Sequence, residues 1–162
     1  MKEIKKQQWS RVCRDMSRKY RFARTKVLRT DANGNSVAEH QAAPLSGLSL
    51  AKRRGRFSAF EVSLCEIRNG SPTTSTISIS APIKILGNSS TEDGTESLEV
   101  YSEVGHRLIL RVLGRTIEES YGALVEKTAY TLAEGRGFVP GHEKEDWFRA
   151  ERLVRGVASL EA

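Results

Sequence analysis

Around the first turns of the chain, the apolar residues Trp9, Val12, Cys13, Met16 and Tyr20 recur every three or four positions. Lys5, Lys6, Arg11, Arg14, Arg18 and Lys19 fill the other faces. Side chains three and four apart share one face of a 3.6-residue turn, so residues 4–20 are expected to form an amphipathic helix with a basic outer surface. The period then shortens to two. Residues 22–28 suit a strand, Asn33-Gly34 suits a turn because it tolerates positive φ, and residues 37–43 return as a hairpin partner. A further extended piece begins at Pro44 and ends in the charged run Lys52-Arg53-Arg54-Gly55-Arg56. Phe60, Val62 and Leu64 alternate with Glu61, Ser63 and Cys65, which places Cys65 on the polar side as the more exposed of two thiols. Ile77, Ile79, Ala81, Ile83 and Ile85 read as one more strand, and Pro82, having no N–H to donate, demands an edge or a bulge there. Residues 87–95 are polar and acidic and read as a loop, before two last strands over 97–102 and 107–113.

At Thr116 the helical period returns. Thr116-Ile-Glu-Glu119 has the form of a capping box, in which hydroxyl and carboxylate each satisfy an orphan backbone N–H. Ile117, Tyr121, Leu124, Val125, Thr128 and Leu132 then share a face, and Gly135 and Gly137 can end the helix. A second helix opens after Pro140-Gly141-His142 with Glu143, Glu145 and Asp146, whose charges suit a helix N-terminus. Its apolar stripe is Trp147, Ala150, Val154 and Val157, with Trp147 as a buried anchor. The fold class expected is therefore α+β: an N-terminal helix on a bent antiparallel sheet or small open barrel of five to six strands, then a C-terminal α-hairpin. The division falls into residues 1–113 and 116–162. Helices this short are marginal alone, so the hairpin is expected to dock on the sheet or on a second copy of the chain.

Composition narrows the setting. A 38% hydrophobic and 28% charged chain of 162 residues can build a core as a soluble protein, and nothing in it approaches the roughly 20 apolar residues of a membrane span. No apolar stretch follows the charged N-terminus, which points to the cytoplasm, where Cys13 and Cys65 stay reduced. The net charge of +6 hides an asymmetry. Residues 1–56 hold fifteen Lys and Arg against four Asp and Glu, a net of +11, whereas the remainder holds eleven against sixteen, a net of −5. Lys5, Lys6, Arg11, Arg14, Arg18 and Lys19, with the second cluster Lys52, Arg53, Arg54 and Arg56, are dense enough to neutralise several phosphates. Aromatic residues are sparse among them, so base stacking is not expected. The plainer reading is a solvated face that meets the acidic half within the chain or in a neighbouring subunit.

Candidate chemistry is thin. His40, His106 and His142 lie far apart without a second ligand at metal spacing, and His142-Glu143 lacks the second histidine of a zinc helix. Cys13 falls on the apolar stripe as a small core residue. Nucleophile-elbow and phosphate-loop motifs are both absent. No metal and no cofactor is expected, and no catalytic residue.

Ala129-Tyr130, Gly137, Pro140-Gly141-His142, Glu145-Asp146-Trp147 and Ala150-Glu151 together resemble the domain-of-unknown-function 2934 family of short bacterial helical modules, over residues 117–154. Lys2-Glu-Ile, Trp9, Pro44-Leu-Ser-Gly47, Asp93-Gly94, Leu98-Glu99-Val100 and Leu110-Arg111 resemble the domain-of-unknown-function 5335 family, over residues 1–113. Val104 stands where that family has an Asp-Gly turn, and its helix is less basic. Both resemblances imply a bacterial protein, and neither implies an activity. The function expected is that of a non-enzymatic interaction or accessory protein whose hairpin docks or self-associates, as a homodimer or on another protein. The alternative is a basic, sequence-nonspecific nucleic-acid-binding protein.

Overall fold

The computed structural model describes residues 1–68, 71–89, 96–113 and 117–160, without the side chains of 67, 89, 117–120 and 157–160. A two-residue strand β1 (Lys2–Glu3) and a 3-10 turn lead into helix α1 (Trp9–Lys19). Trp9, Cys13 and Met16, spaced four and three apart, are the buried face of α1. The Trp9 indole is satisfied as it is buried, donating from Nε1 to the Ile4 carbonyl at 2.9 Å.

Seven longer strands follow: β2 (Arg24–Thr30), β3 (Ser36–Arg53), β4 (Arg56–Arg68), β5 (Ser71–Ser80), β6 (Pro82–Ser89), β7 (Glu96–Ser102) and β8 (Arg107–Val112). They form an antiparallel, unclosed sheet in the order β1-β6-β7-β8-β2-β3-β4-β5. The 18-residue β3 turns the sheet: its first part pairs with β2 as far as Pro44, and its second pairs with β4 from Leu45 to Arg53. The two extended pieces that meet at Pro44 in the sequence are thus one strand, bent at an irregularity between Leu45 and Gly47. A bulge of this kind kinks a strand and increases its twist. The bend lets inward residues such as Val27, Leu45, Phe60, Ile79, Ile85 and Leu108 enclose one core with the buried face of α1.

The α+β class, the leading helix, the bent antiparallel sheet and the helical C-terminus are as expected, but the strands among the described residues number eight. One reason is β1, too short to show in the sequence, which pairs Lys2 with Gly87 on β6. Another is Ala81, whose φ of 47° breaks the run of alternating isoleucines into β5 and β6. The break, followed by a register shift between Pro82 and Lys84, resets the alternation: Ile77, Ile79 and Ile85 are buried, whereas Ile83 lies outside at 58% exposure. Pro82 opens β6 at this shift, where no ladder N–H is required of it.

Helices α2 (Ile117–Gly135) and α3 (Glu143–Leu160) cover part of the sheet's outer side. A second apolar cluster joins Leu124 and Val125 of α2, Ala150 and Val154 of α3, and Phe22 and Cys65 of the body. Phe22 takes a positive φ of 62° just after α1, and its ring lies 5.4 Å from that of Tyr121. Cys65 is consequently buried rather than exposed, because the hairpin covers the strand face that the alternation leaves to solvent.

Trp147 corrects another expectation. It is 42% exposed; Ala150 and Val154 are buried as the stripe expected, but Asp146 rather than Trp147 turns inward one turn before them. Asp146 is drawn in by its ion pair with Arg136, just after α2. The capping box cannot be compared, since Thr116 and the side chain of Glu119 lie outside the described residues, as do the side chains of Val157 and Leu160. No helix among the described residues is long and apolar enough to cross a membrane.

Candidate functional site

Helix α1 lies along the second part of β3, held by one hydroxyl. Ser17 Oγ accepts from the Leu48 N–H at 2.8 Å and is 2.6 Å from the Cys13 carbonyl and 3.2 Å from that of Leu48. On its outer edge this part of β3 has no strand neighbour, and α1 takes the place of one. The packing brings members of the two basic clusters of the sequence together. Lys6, from the turn before α1, and Lys52 and Arg56, from the β3–β4 hairpin, line a common hollow with Phe57. The Phe57 ring lies 4.8 Å from Lys52 Nζ and 6.0 Å from Lys6 Nζ, and 5.3 Å from the Trp9 ring. The two rings, tilted by 37°, let two ammonium groups share a small area through cation–π attraction.

The hairpin tip is a two-residue turn, Arg54-Gly55, closed by the pair Arg53 and Arg56. Both turn residues have positive φ, 51° at Arg54 and 76° at Gly55, as a hairpin turn matching strand twist requires. Glycine adopts that conformation freely, but arginine is strained in it.

Of the sequence-singled cations, Lys5, Lys6, Arg11, Arg14, Arg18, Lys19, Lys52, Arg53, Arg54 and Arg56 are all exposed. Among the described residues two of these ten make ion pairs, Arg11 with its helical neighbour Asp15 at 3.5 Å and Lys19 with Glu96 at 2.7 Å. The hydrogen bond it donates to Glu96 raises the Lys19 ammonium above its ordinary value, so it stays charged. Eight of the ten cations have no carboxylate partner among the described residues.

Other groups are poorly placed for chemistry. Burial pushes the Cys13 thiol up to about 12, against a smaller lowering by a backbone hydrogen bond, so it is no nucleophile at neutral pH. Among the described residues no three His, Cys, Asp or Glu side chains gather as metal ligands; His40 sits 3.3 Å from Glu66, and His142 Nδ1 is 3.2 Å from Glu145. In the hairpin, Gly137 and Gly141 have positive φ, Gly141 donates its N–H to the Glu143 carboxylate, and the His142 carbonyl accepts from the Asp146 N–H. Pro140 stands between them in the exposed turn. Ser17, which holds α1 to β3, and Ser46, which lines the space between them, have no signature in the sequence. A serine bordering an apolar stripe looks like any solvent-facing serine.

Fold and site together define a small α+β protein with a basic helix-and-strand face and a docked helical hairpin. Residues 123–156, most of that hairpin, match the family model described as "Protein of unknown function (DUF2934)". Neither a curated protein nor a solved structure matches the chain.

Proposed function

We propose that this is a non-enzymatic binding protein that holds polyanions, nucleic acid foremost, on the face formed by α1 and the β3–β4 tip, without reading base sequence. The carrying observation is that members of two separate basic clusters, Lys6 with Lys52 and Arg56, line a common hollow, with eight of the ten exposed cations having no carboxylate partner among the described residues. Unpaired surface cations release counterions from a phosphate backbone on binding, and this favours association with little sequence information. The aromatic rings of the face, Trp9 and Phe57, are packed beneath lysines and leave no platform for bases. The reading includes a bacterial cytoplasmic setting and the similarity of residues 1–113 to the domain-of-unknown-function 5335 family. Fluorescence anisotropy with single-stranded and duplex oligonucleotides at two salt concentrations tests it. The expected result is sequence-indifferent binding that falls steeply with salt and is abolished by Arg11→Glu, Arg14→Glu and Arg18→Glu together. Binding that survives the triple variant would overturn the assignment of this face.

A second reading concerns the turn end of the hairpin. Tyr130, Phe138, Val139, Trp147 and Phe148 are exposed there, and the rings of Tyr130 and Phe138 lie 5.3 Å apart. Exposed apolar residues gathered in one place suit association with a second copy or another protein. Sedimentation velocity of the full chain and of Phe148→Glu checks it: self-association lost in the variant supports this reading, and a monomer at every concentration removes the homodimer.

A further inference from the structure

A cleft of about 540 Å³ runs between α1 and the outer edge of β3, within the usual range for small-ligand sites. Arg14, Arg18 and Arg21 line it from the helix side, and Ser46, Leu48 and Leu50 from the strand side. Among the described residues no carboxylate lines it. Its floor holds an unsatisfied group: Ser46 is 2% exposed, and its Oγ has no hydrogen-bond partner among the described residues. Ser46 occupies the bulge between Leu45 and Gly47, where the ladder to β4 slips. A buried hydroxyl without a partner is costly, and native proteins keep few of them. The backbone adds a donor. Leu48 turns its N–H and C=O toward Ser17 of α1, and antiparallel alternation turns the Leu50 N–H to the same edge. Ser49 is not counted, because its hydroxyl meets Glu61 at 3.1 Å.

We propose that this cleft is a phosphate subsite: Arg14 and Arg18 hold a phosphoryl group at its mouth, and the Ser46 hydroxyl and the Leu50 N–H donate from its floor. The proposal deepens the polyanion reading and rests on it, with one backbone phosphate seated here while the remaining cations act as a diffuse field. Oγ is shielded from water in the unliganded cleft. Rotation about χ1 moves a serine hydroxyl between staggered positions, and an anion on the floor would recruit it without breaking an existing bond. Guanidinium groups suit this task because their planar forks match phosphate oxygens.

Isothermal titration of the full chain with pyrophosphate, and separately with an oligonucleotide, tests the subsite. Ser46→Ala should weaken pyrophosphate by about tenfold, the loss of one charge-assisted hydrogen bond, without lowering the melting temperature, because the hydroxyl it removes has no protein partner. Arg14→Gln and Arg18→Gln should weaken it similarly, whereas Arg53→Gln with Arg54→Gln, outside the cleft, should leave pyrophosphate affinity unchanged and lower oligonucleotide affinity. Absent pyrophosphate binding, an unaffected Ser46→Ala, or equal losses from the tip pair would overturn the subsite while leaving the oligonucleotide arm to judge the face. Pyrophosphate bound in the expected pattern by a protein that ignores oligonucleotides would uphold the cleft, make a free phosphorylated small molecule its ligand, and overturn the nucleic-acid reading.

Discussion

Arg54 holds a conformation that asparagine or glycine adopts more easily, at the exposed tip of a hairpin whose neighbours are also arginines. Backbone strain of this sort is retained where a side chain serves a purpose. Arg54→Asn should stabilise the fold by a few tenths to about 1 kcal/mol and weaken oligonucleotide binding, as chemical denaturation and anisotropy would show. Burial decides a second contrast. Phe22→Ala, removing a ring 4% exposed between sheet and hairpin, should cost about 3–5 kcal/mol, whereas Trp147→Ala, at 42% exposure, should cost under about 1 kcal/mol. Glu99 supplies a pH signature. Burial acts to raise its carboxyl, but hydrogen bonds from Tyr101 and Arg107, with the guanidinium charge, bring it below the ordinary value of 4.5. A depressed carboxylate adds stability that is complete above its ordinary value and is lost as pH falls through the folded-state value. The advantage of the native chain over Glu99→Gln should therefore be full at pH 7 and shrink below about 4.5 in urea titrations.

At the scale of elements, the α1–β3 contact depends on Ser17. Ser17→Ala leaves the Leu48 N–H without its partner and should cost about 1–3 kcal/mol. Because the same contact aligns the two basic clusters, oligonucleotide affinity should fall although no charge is changed. The hairpin offers a chemical probe of its own docking. Cys13 and Cys65 are both buried, so neither should react quickly with a thiol reagent in the full chain. Removal of residues 116–162 uncovers the face of β4 that carries Cys65, and one thiol should then react rapidly. The excised hairpin, deprived of Phe22 and Cys65 as packing partners, should show little helicity by circular dichroism. The helical elements were legible in the sequence because an amphipathic period survives whatever the helix packs on. The strand breaks were not: Ala81 reverses φ inside an unbroken alternation, and the bend of β3 leaves no gap in it.

For the molecule as a whole, charge sets the expected behaviour. If about six phosphates are engaged, affinity should drop on the order of 10³-fold between about 50 and 200 mM salt, with a slope common to different base sequences. The sequence by itself determined the α+β class, the order of helix, sheet and hairpin, and the excess of positive charge in the first 56 residues, because these depend on local period and composition. Only the tertiary structure decided which side chains are covered twice, as Cys65 is, and which are left outside, as Trp147 and Ile83 are. It alone decided that Lys6 meets Lys52 and Arg56 at a common hollow, and that Ser46 lines a cleft with Arg14 and Arg18. Local pattern records which side of an element is apolar; what comes to lie against that side depends on bends and contacts between residues far apart in the chain.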